Sequence, residues 1–350
     1  WYTVFMKLSV YIHHLTLKDP IHTAHSIITE RPTIIIELHD NGQSYWSEVP
    51  GFVSGNYHHE THATLSKRWT ESASQILDAF SGDTVPNYLA ILQNEPIFAY
   101  SIDCLHAQLQ AQSRGQSLYD FIGCMPRVVD GSAMLGIQAT AEDYRAKLTA
   151  IKAAGYNGIK LKLDPDHLSL IQSVIDEYLD QFDYICVDAN GSFGPDNMDA
   201  LRHLPESVTI EQPLKPEHHH EFMALIQQLP HQFLVDESVR SVSDLEAFKG
   251  LGVGVMLKPV CLGGIQPTIT AIKFCNLHLI PCGISGYMDS GIGRYIQWCF
   301  TQYPNVLLRS DFVWSDYYFE TDIVNILPGQ EPLQFLQPKL SSDPILIVGS

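Results

Sequence analysis

Charged residues recur at regular intervals in the middle of the sequence. Each lies at or near the carboxyl end of a short apolar run, and from the second member onward the steps are 26, 23, 25 and 22 residues. The series consists of Lys160, Lys162, Asp188, Glu211, Asp236 and Lys258. A single carboxylate or lysine in such a place is usually a helix cap or a solvated side chain. Six of them in this order indicate a catalytic site.

The three acidic members would converge on one point if the apolar runs are parallel strands of one barrel. Buried carboxylates without compensation repel one another, which raises their pKa values. A hard divalent cation removes this repulsion. Carboxylate oxygens suit Mg²⁺, which keeps positions for water or substrate oxygens, and they also suit Mn²⁺. We therefore predict that Asp188, Glu211 and Asp236 bind a metal ion.

The basic members suggest proton transfer. Lys160 and Lys162 are two residues apart, so on a strand both side chains point to the same face. Two ammonium groups about 6 Å apart repel by roughly 3 kcal/mol at an effective dielectric of about 20, or about 2 pKa units. This repulsion and the metal are expected to lower one lysine pKa towards that of a general base. Lys258 would face this pair across the metal, so we predict that all three lysines are catalytic and hold a small carboxylate substrate.

The elements that must position these residues follow a strand–helix rhythm from about residue 127. The predicted strands are Gly158–Leu163, Tyr184–Asp188, Val208–Glu211, Phe233–Asp236, Gly254–Lys258 and Leu279–Cys282. The predicted helices between them are His167–Phe182, Asp196–Leu204, Glu217–Leu229, Val242–Leu251 and Gln266–Leu277. Units of this length are what a parallel α/β barrel requires. A doubly wound open sheet would give a similar rhythm.

The first part of the chain has a different pattern. Met6–Leu15, Thr33–His39 and Ser44–Glu48 have the β-branched and aromatic content of strands. Asn41-Gly42 between the last two is a strong signal for a two-residue hairpin turn. Residues from about 62 to 112 have the pattern of helices. Strands followed by helices predict a compact α+β domain.

The composition argues against several classes of partner. With 21 basic and 39 acidic residues, the formal net charge is −18, which repels phosphate backbones and anionic lipid. We therefore expect neither nucleic acid nor a membrane as a partner, whereas a homo-oligomer is compatible with the sequence. Seven scattered cysteines without a CxxC pair are typical of reduced thiols in the cytoplasm. Trp1–Phe5 lacks the basic region and cleavage site of a signal peptide, and Met6 could be the natural start.

Two histidine-rich stretches resemble metal motifs without matching them. In the stretch that runs from His58 to His62, the second histidine comes too soon for the HExxH zinc motif. The run from His218 to His220 is expected to open a solvated helix. We predict no metal site at either stretch.

Several motifs make the sequence resemble the enolase superfamily, in its muconate-lactonising subgroup. They are Gly158–Lys162, Val187–Asn190, Ile210–Pro213, Val235–Ser238 and Leu257–Pro259. Four further stretches resemble the branch that contains o-succinylbenzoate synthases and N-succinylamino acid racemases. They are Ser47–Thr61, Cys261–Gly264, Ser285–Arg294 and Asp316–Ile323. Two departures lie near the expected substrate pocket: Ser285 replaces a usual glycine, and Met288-Asp289 replaces a usual Leu-Glu pair.

The resemblance implies the fold and its boundaries. It implies a (β/α)7β TIM-like barrel over residues 126–310, with an α+β capping domain over residues 6–125. Residues 311–350 would form a C-terminal segment that returns to the cap. The resemblance also implies that Lys162 is the acid/base, that Lys258 faces it and that Mg²⁺ binds the three carboxylates.

The activity implied by the resemblance is Mg²⁺-dependent dehydration of 2-succinyl-6-hydroxy-2,4-cyclohexadiene-1-carboxylate in menaquinone biosynthesis, the reaction of a hydro-lyase. Racemisation of N-succinylamino acids and epimerisation of dipeptides use the same lysine pair. The shared catalytic residues leave these alternatives open.

Overall fold

The computed structural model describes residues 6–23, 27–55 and 58–349. The expectations for residues 1–5 therefore lie outside the described residues. Among the described helices, none combines the length and the apolar character needed to cross a membrane.

Three antiparallel strands begin the described chain. They are β1 (Lys7–His22), β2 (Ile27–Asp40) and β3 (Gln43–Val49). The predicted hairpin turn is confirmed, because Asn41 and Gly42 connect β2 to β3 with φ angles of 51° and 78°. Positive φ at both central residues is the requirement of a type I′ turn, whose twist matches that of the strands.

Four helices follow the strands and complete the α+β part of the chain. They are α1 (His62–Ser81), α2 (Val85–Ala90), α3 (Pro96–Ser113) and α4 (Leu118–Ile122). The buried face of α1 includes Trp69, whose ring lies 5.3 Å from that of Phe98 in α3. Glu60 caps the first turn of α3, since its carboxylate accepts the N–H groups of Ile97 and Phe98 at 2.9 Å each.

Seven parallel strands form the second part. They are β4 (Ser132–Leu135), β5 (Gly158–Lys162), β6 (Tyr184–Asp188), β7 (Thr209–Glu211), β8 (Phe233–Val235), β9 (Gly254–Leu257) and β10 (Cys282–Ile284). The accompanying α-helices are α5 (Ala141–Ala153), α6 (Leu168–Ile175), α7 (His219–Gln228), α8 (Pro259–Leu262), α9 (Ile265–Leu277) and α10 (Gly291–Thr301). The 3₁₀ helices are Pro165–His167, Met198–His203, Pro216–His218 and Val242–Phe248. The strands pair in chain order without a reversal, whereas a doubly wound sheet reverses its order.

Residues 307–311 close the parallel sheet. On one side the Asp311 N–H donates to the Ile284 carbonyl of β10 at 2.9 Å. On the other side the Ser310 carbonyl accepts the N–H of Ser132, the first residue of β4, at 3.0 Å. The predicted fold class, a (β/α)7β TIM-like barrel with an α+β capping domain, is confirmed.

Two details of the barrel differ from the prediction. The predicted strand Leu279–Cys282 is wrong, because the strand only begins at Cys282. Leu279 is 90% exposed with a φ of 56°, and Pro281 has no N–H to donate to a ladder. Strand β4 (Ser132–Leu135) was not among the predicted strands, since its four residues give too short an apolar signal.

Two predicted helices are 3₁₀ turns. In place of Asp196–Leu204 and Val242–Leu251, the structure has the 3₁₀ helices Met198–His203 and Val242–Phe248. Left-handed glycines at 250 and 252, with φ angles of 71° and 72°, follow the second one. Such a conformation ends a helix, so the connection to β9 stays short.

Two sets of contacts connect the cap to later parts of the chain. Strand β11 (Leu346–Val348) pairs antiparallel with β1, so the order of the cap sheet is β11-β1-β2-β3. The carboxylate of Glu48 in β3 accepts the Ser290 N–H at 2.9 Å, the Ser290 hydroxyl at 2.5 Å and the Gly293 N–H at 3.1 Å. A cap residue therefore accepts hydrogen bonds from the free N–H groups at the start of barrel helix α10.

Candidate active site

A cavity lies between the carboxyl ends of the barrel strands and the cap. Five of the six predicted charged residues line it, and the sixth, Glu211, is fully buried against Lys160. The cap contributes Ile21, Thr23, Ile28 and Phe52 to the walls. Asp311, at the end of the closing segment, also lines the cavity. The structure thus brings the whole predicted set together.

The three carboxylates sit on neighbouring strands. Asp188 and Glu211 are Cα partners in the pairing of β6 with β7, which places their backbones about 4.8 Å apart. Asp236 directly follows β8, and its N–H donates to Gln212 Oε1 at 3.0 Å. Gln212 Oε1 also accepts the Ser238 N–H at 3.2 Å. A buried amide thus fixes the backbone that presents the third carboxylate.

Lys160 is held by carboxylates on two sides. Its Nζ lies 2.5 Å from Glu211 Oε1, 2.5 Å from Asp311 Oδ2 and 3.6 Å from Asp188 Oδ2. Burial lowers the pKa of Lys160, but these three carboxylates outweigh burial and raise the pKa well above its usual value. In this structure the repulsion from Lys162 therefore does not decide the pKa of Lys160, because the nearby carboxylates dominate.

Lys162 occupies a different environment on the same face of β5. Its Nζ donates to Asp188 Oδ2 at 2.6 Å and to Asn190 Oδ1 at 2.9 Å. Asn190 in turn donates from Nδ2 to Glu237 Oε1 at 2.9 Å. Sequence analysis did not include Asn190 or Glu237 in the series, yet both lie in the site. Asn190 is therefore a candidate residue for orienting the Lys162 ammonium.

Lys258 approaches the carboxylates from another strand. It follows β9 and donates to Asp236 Oδ2. Burial lowers the pKa of Lys258, but Asp236 and Glu237 outweigh burial and raise the pKa well above its usual value. Lys162 and Lys258 thus contact different carboxylates, Asp188 and Asp236, of the same set.

Burial and charge act on the carboxylates in different proportions. Burial opposes ionisation of Asp188, but the ammonium groups of Lys162 and Lys160 prevail and hold its pKa below the usual value. For Glu211, burial dominates and raises the pKa well above its usual value, with only partial relief from Lys160. Burial likewise raises the pKa of Asp236 to about 6, against the opposing effect of Lys258.

The donor set fits a divalent cation. The site combines five carboxylates with three ammonium groups, a surplus of two negative charges when all are ionised. Among the described residues, none donates a hydrogen bond to the buried Glu237 Oε2, so this oxygen adds to the negative charge of the site. Oxygen ligands of this kind suit Mg²⁺. Asp188, Glu211 and Asp236 are the residues that could hold it.

The other histidine candidates lie elsewhere. Potential ligand atoms of His58, His59 and Glu60 lie within 4.8 Å of one another. Glu60 is engaged at the first turn of α3, and its N–H donates to His58 Nδ1 at 3.2 Å. Glu60 and His58 therefore already take part in contacts of the fold, and the exposed His59 lies with its Nε2 3.1 Å from the Asn94 carbonyl oxygen. His218 precedes α7, and the histidines that follow it open this helix and are exposed.

The motifs did not include Asp311, and Ser285 was named only as a departure near the expected substrate pocket. Asp311 pairs with Lys160, and the Ser285 hydroxyl donates to Asp311 Oδ2 at 2.9 Å. The available signal was the apolar run Val306–Leu308 followed by an acidic residue. That run is shorter than those of the predicted strands, so it was not counted with them.

Phe52 brings the cap into the cavity. Its ring lies 4.7 Å from the ring of Tyr287 and 4.1 Å from the guanidinium carbon of Arg31. Arg31 is buried and donates to the Gly51 carbonyl at 2.7 Å and to the Tyr287 carbonyl at 3.1 Å. From the sequence we expect the loop over residues 52–57 to close over the substrate as a lid. It begins at this anchored position, and its residues 56 and 57 lie outside the described residues.

Truncation of Phe52 should weaken substrate binding. We expect Phe52→Ala to raise KM about tenfold, because an apolar side chain of this size contributes roughly 1.5–3 kcal/mol when it is buried against a ligand. Steady-state kinetics and thermal unfolding would measure the effect on KM and on stability. Val53→Ala is the matched control, since Val53 is 69% exposed and does not line the cavity. An unchanged KM in Phe52→Ala would show that the segment is only structural.

The sequence is similar to a known protein family and to several proteins with named activities. A family model described as enolase C-terminal domain-like matches residues 143–332, more than half of the 350-residue chain. An o-succinylbenzoate synthase from Geobacillus kaustophilus is 26% identical, over 90% of this chain and 86% of that protein. An N-succinylamino acid racemase from Thermus thermophilus is 25% identical, over 89% of this chain and 86% of that protein.

A solved structure shares the fold. The dipeptide epimerase from Cytophaga hutchinsonii, complexed with Mg and the dipeptide D-Ala-L-Val, matches with a TM-score of 0.81 at 20% identity. The match covers 92% of this chain and 90% of that chain. The likeness therefore extends over the cap as well as the barrel.

Proposed function

Because the chain belongs to the enolase superfamily, we propose that this enzyme is an o-succinylbenzoate synthase. It would be a hydro-lyase that dehydrates 2-succinyl-6-hydroxy-2,4-cyclohexadiene-1-carboxylate in menaquinone biosynthesis. Synthases of this name from Geobacillus kaustophilus and Enterococcus faecalis, 26% and 23% identical over about nine-tenths of this chain, support the proposal.

The observation that carries the proposal is the placement of the lysines around the carboxylates. Lys162 contacts Asp188 and Lys258 contacts Asp236, and both lysines line the same cavity. A carboxylate substrate in this cavity would carry its acidic α-proton between the two lysine side chains. Mg²⁺, held by Asp188, Glu211 and Asp236, would supply positive charge beside the substrate carboxylate when bound.

The dehydration needs one base, which removes the α-proton and then donates a proton to the departing hydroxyl. Lys162 would remove the proton α to the ring carboxylate, and its new charge state would then let it protonate the departing hydroxyl. The carbon–oxygen bond breaks, water leaves, and the ring becomes aromatic. Asn190 would keep the Lys162 amine oriented through its contact at 2.9 Å. Lys258 would remain cationic and stabilise the negative charge that develops on the substrate.

A racemase or epimerase of N-acylated amino acids or dipeptides is the second candidate. The relative named N-succinylamino acid racemase, 25% identical over 89% of this chain, supports it. Such a reaction needs a proton removed on one face and delivered on the other. Both Lys162 and Lys258 would then have to transfer protons, which the dehydration does not require.

The variant Lys258→Arg separates these reactions. Arginine keeps the positive charge but does not act as a base near neutral pH. We expect the variant to retain measurable dehydration, with losses from altered geometry, while any racemisation of N-succinylamino acids falls by at least about 10². In D₂O it should still exchange the α-proton of one enantiomer through Lys162, without inversion. Kinetics with both substrates and proton NMR of the exchange would measure these effects.

The control for this variant is Lys249→Arg. Lys249 is half-buried and forms an ion pair with the exposed Glu246 at 2.6 Å, and it does not line the cavity. If Lys258→Arg loses dehydration as completely as a variant without Lys162, while folding and binding Mg²⁺ normally, Lys258 transfers a proton in the dehydration and the one-base assignment is wrong.

A further inference from the structure

Asp311 is a partly buried acidic residue that none of the motifs includes. Its side chain is 15% exposed, and its Oδ2 accepts the Ser285 hydroxyl at 2.9 Å and the Lys160 ammonium at 2.5 Å. The backbone of Asp311 is fixed separately, through its N–H to the Ile284 carbonyl at 2.9 Å and through Gln297 Nε2 to its own carbonyl at 2.5 Å. The carboxylate is thus presented by a backbone that is hydrogen-bonded on both sides, and it is oriented by a second side chain.

The remaining partners of Lys160 are candidate metal ligands. Within 4.0 Å of its Nζ, the described residues offer the carboxylates of Glu211, Asp311 and Asp188. A cation on Glu211 and Asp188 would therefore share these carboxylates with the Lys160 ammonium. Asp311 is the one of the three that the metal proposal does not use.

We propose that Asp311, oriented by Ser285, is a positioning residue that holds the Lys160 ammonium beside the substrate cavity and so leaves Glu211 to the metal ion. The inference rests on the proposed metal centre and deepens the proposed function. It assigns Lys160 to charge stabilisation at the substrate, separate from the proton transfer of Lys162. It also explains the hydroxyl at position 285, because a glycine there would have no donor for Asp311.

The physical consequence is that the Lys160 ammonium and the metal ion compete for the same carboxylates. Without the Asp311 charge, the close carboxylates left to the Lys160 ammonium among the described residues would be Glu211 and Asp188. Opposite charges at contact distance in a buried site attract strongly. A metal ion would then have to displace a tighter ion pair from its own ligands. Removal of Lys160 as well would remove the competitor.

The test is Mg²⁺ binding by calorimetry, with no substrate present. We expect Asp311→Asn to weaken Mg²⁺ affinity about tenfold, a coupling of the size usual for contacting charged residues. In the Lys160→Met background the same substitution should change the affinity by less than about threefold. Ser285→Ala should shift it in the same direction by a smaller factor, and Asp311→Glu should restore part of the affinity. In turnover, Asp311→Asn should raise KM and lower kcat.

Asp130→Asn is the matched control. Asp130 is exposed and does not line the cavity. It forms an ion pair with Arg309, which lies on residues 307–311, the segment that also carries Asp311. Its substitution should leave Mg²⁺ affinity unchanged. If Asp311→Asn does not fold, Ser285→Ala carries the test, since a loss of affinity that depends on Lys160 is expected there too.

Two results would overturn the inference. One is an Mg²⁺ affinity in Asp311→Asn, or in Ser285→Ala if Asp311→Asn does not fold, equal to that of the wild type. The other is an equal loss in the presence and absence of Lys160, which would make Asp311 a general charge and not a positioning residue. Because these arms use no substrate, a failure of the synthase assignment would appear separately, as wild-type enzyme that binds Mg²⁺ with the expected Lys160–Asp311 coupling but does not dehydrate the proposed substrate.

Discussion

Replacement of Lys162 by alanine is expected to abolish turnover, lowering kcat by at least about 10²–10⁴. Lys162 donates to Asp188 at 2.6 Å and to Asn190 at 2.9 Å, and it lines the cavity. Dehydration and racemisation both begin with removal of an α-proton, so either activity should be lost. Steady-state kinetics on the candidate substrates, together with the exchange of the α-proton in D₂O, would measure the loss.

The control for this result is Lys152→Ala. Lys152 is an exposed-face lysine of α5 that donates to Asn157 at 2.8 Å, and it does not line the cavity. We expect its kcat to match that of the wild type. If Lys162→Ala keeps kcat within tenfold of the wild type, or still exchanges the α-proton, another group is the base.

Removal of divalent metal is expected to abolish activity. Three carboxylates, Asp188, Glu211 and Asp236, end neighbouring strands, and the surrounding site carries more carboxylates than ammonium groups. Exhaustively chelated enzyme should be inactive and should recover with Mg²⁺ or Mn²⁺. Asp236→Asn should weaken metal binding by at least about 100-fold, because a neutral amide replaces a charged ligand. Activity assays and calorimetry would measure these effects.

The comparison variant for the metal experiment is Asp199→Asn. Asp199 forms an exposed ion pair with Arg202 at 3.2 Å, away from the cavity, so its substitution should not change metal affinity. Full activity after exhaustive chelation would contradict the metal assignment. Normal metal affinity in Asp236→Asn would remove Asp236 from the ligand set.

The sequence predicted the site better than it predicted the elements around it. Residues such as Asp188 and Glu211 were found because parallel strands of similar length bring their ends to one level, so a regular sequence step becomes spatial proximity. Lys160 and Lys162 were placed on one face by the two-residue period of a strand. The roles of these residues stay predictions, and the structure supplies their geometry.

What the sequence did not reveal depends on long-range contacts. Asp311 reaches Lys160 because residues 307–311 close the barrel between β10 and β4. The apolar run Val306–Leu308 has three residues, which is too short to predict a strand. The rise in the Lys160 pKa depends on carboxylates from other parts of the chain. The two-residue spacing predicts the repulsion between Lys160 and Lys162, which lowers a lysine pKa. It does not predict the larger effect of the carboxylates, which raises the Lys160 pKa.

The prediction of a strand boundary was wrong where the backbone conformation, and not the apolar character of the residues, decided where the strand begins. Leu279 and Ile280 have strand propensity, but Leu279 is left-handed and Pro281 cannot donate. The predicted strand therefore began three residues too early. In contrast, Asn41-Gly42 was predicted correctly, since these residues tolerate the φ angles that the hairpin requires.

The most direct test of the proposed function is an assay of the purified wild-type enzyme, with Mg²⁺, on two substrates. These are 2-succinyl-6-hydroxy-2,4-cyclohexadiene-1-carboxylate and an N-succinylamino acid. Formation of the aromatic product is followed by ultraviolet absorbance, and inversion of the amino acid by optical rotation. We expect dehydration with the higher kcat/KM, lost on chelation and in Lys162→Ala. Racemisation without detectable aromatic product would contradict the synthase assignment.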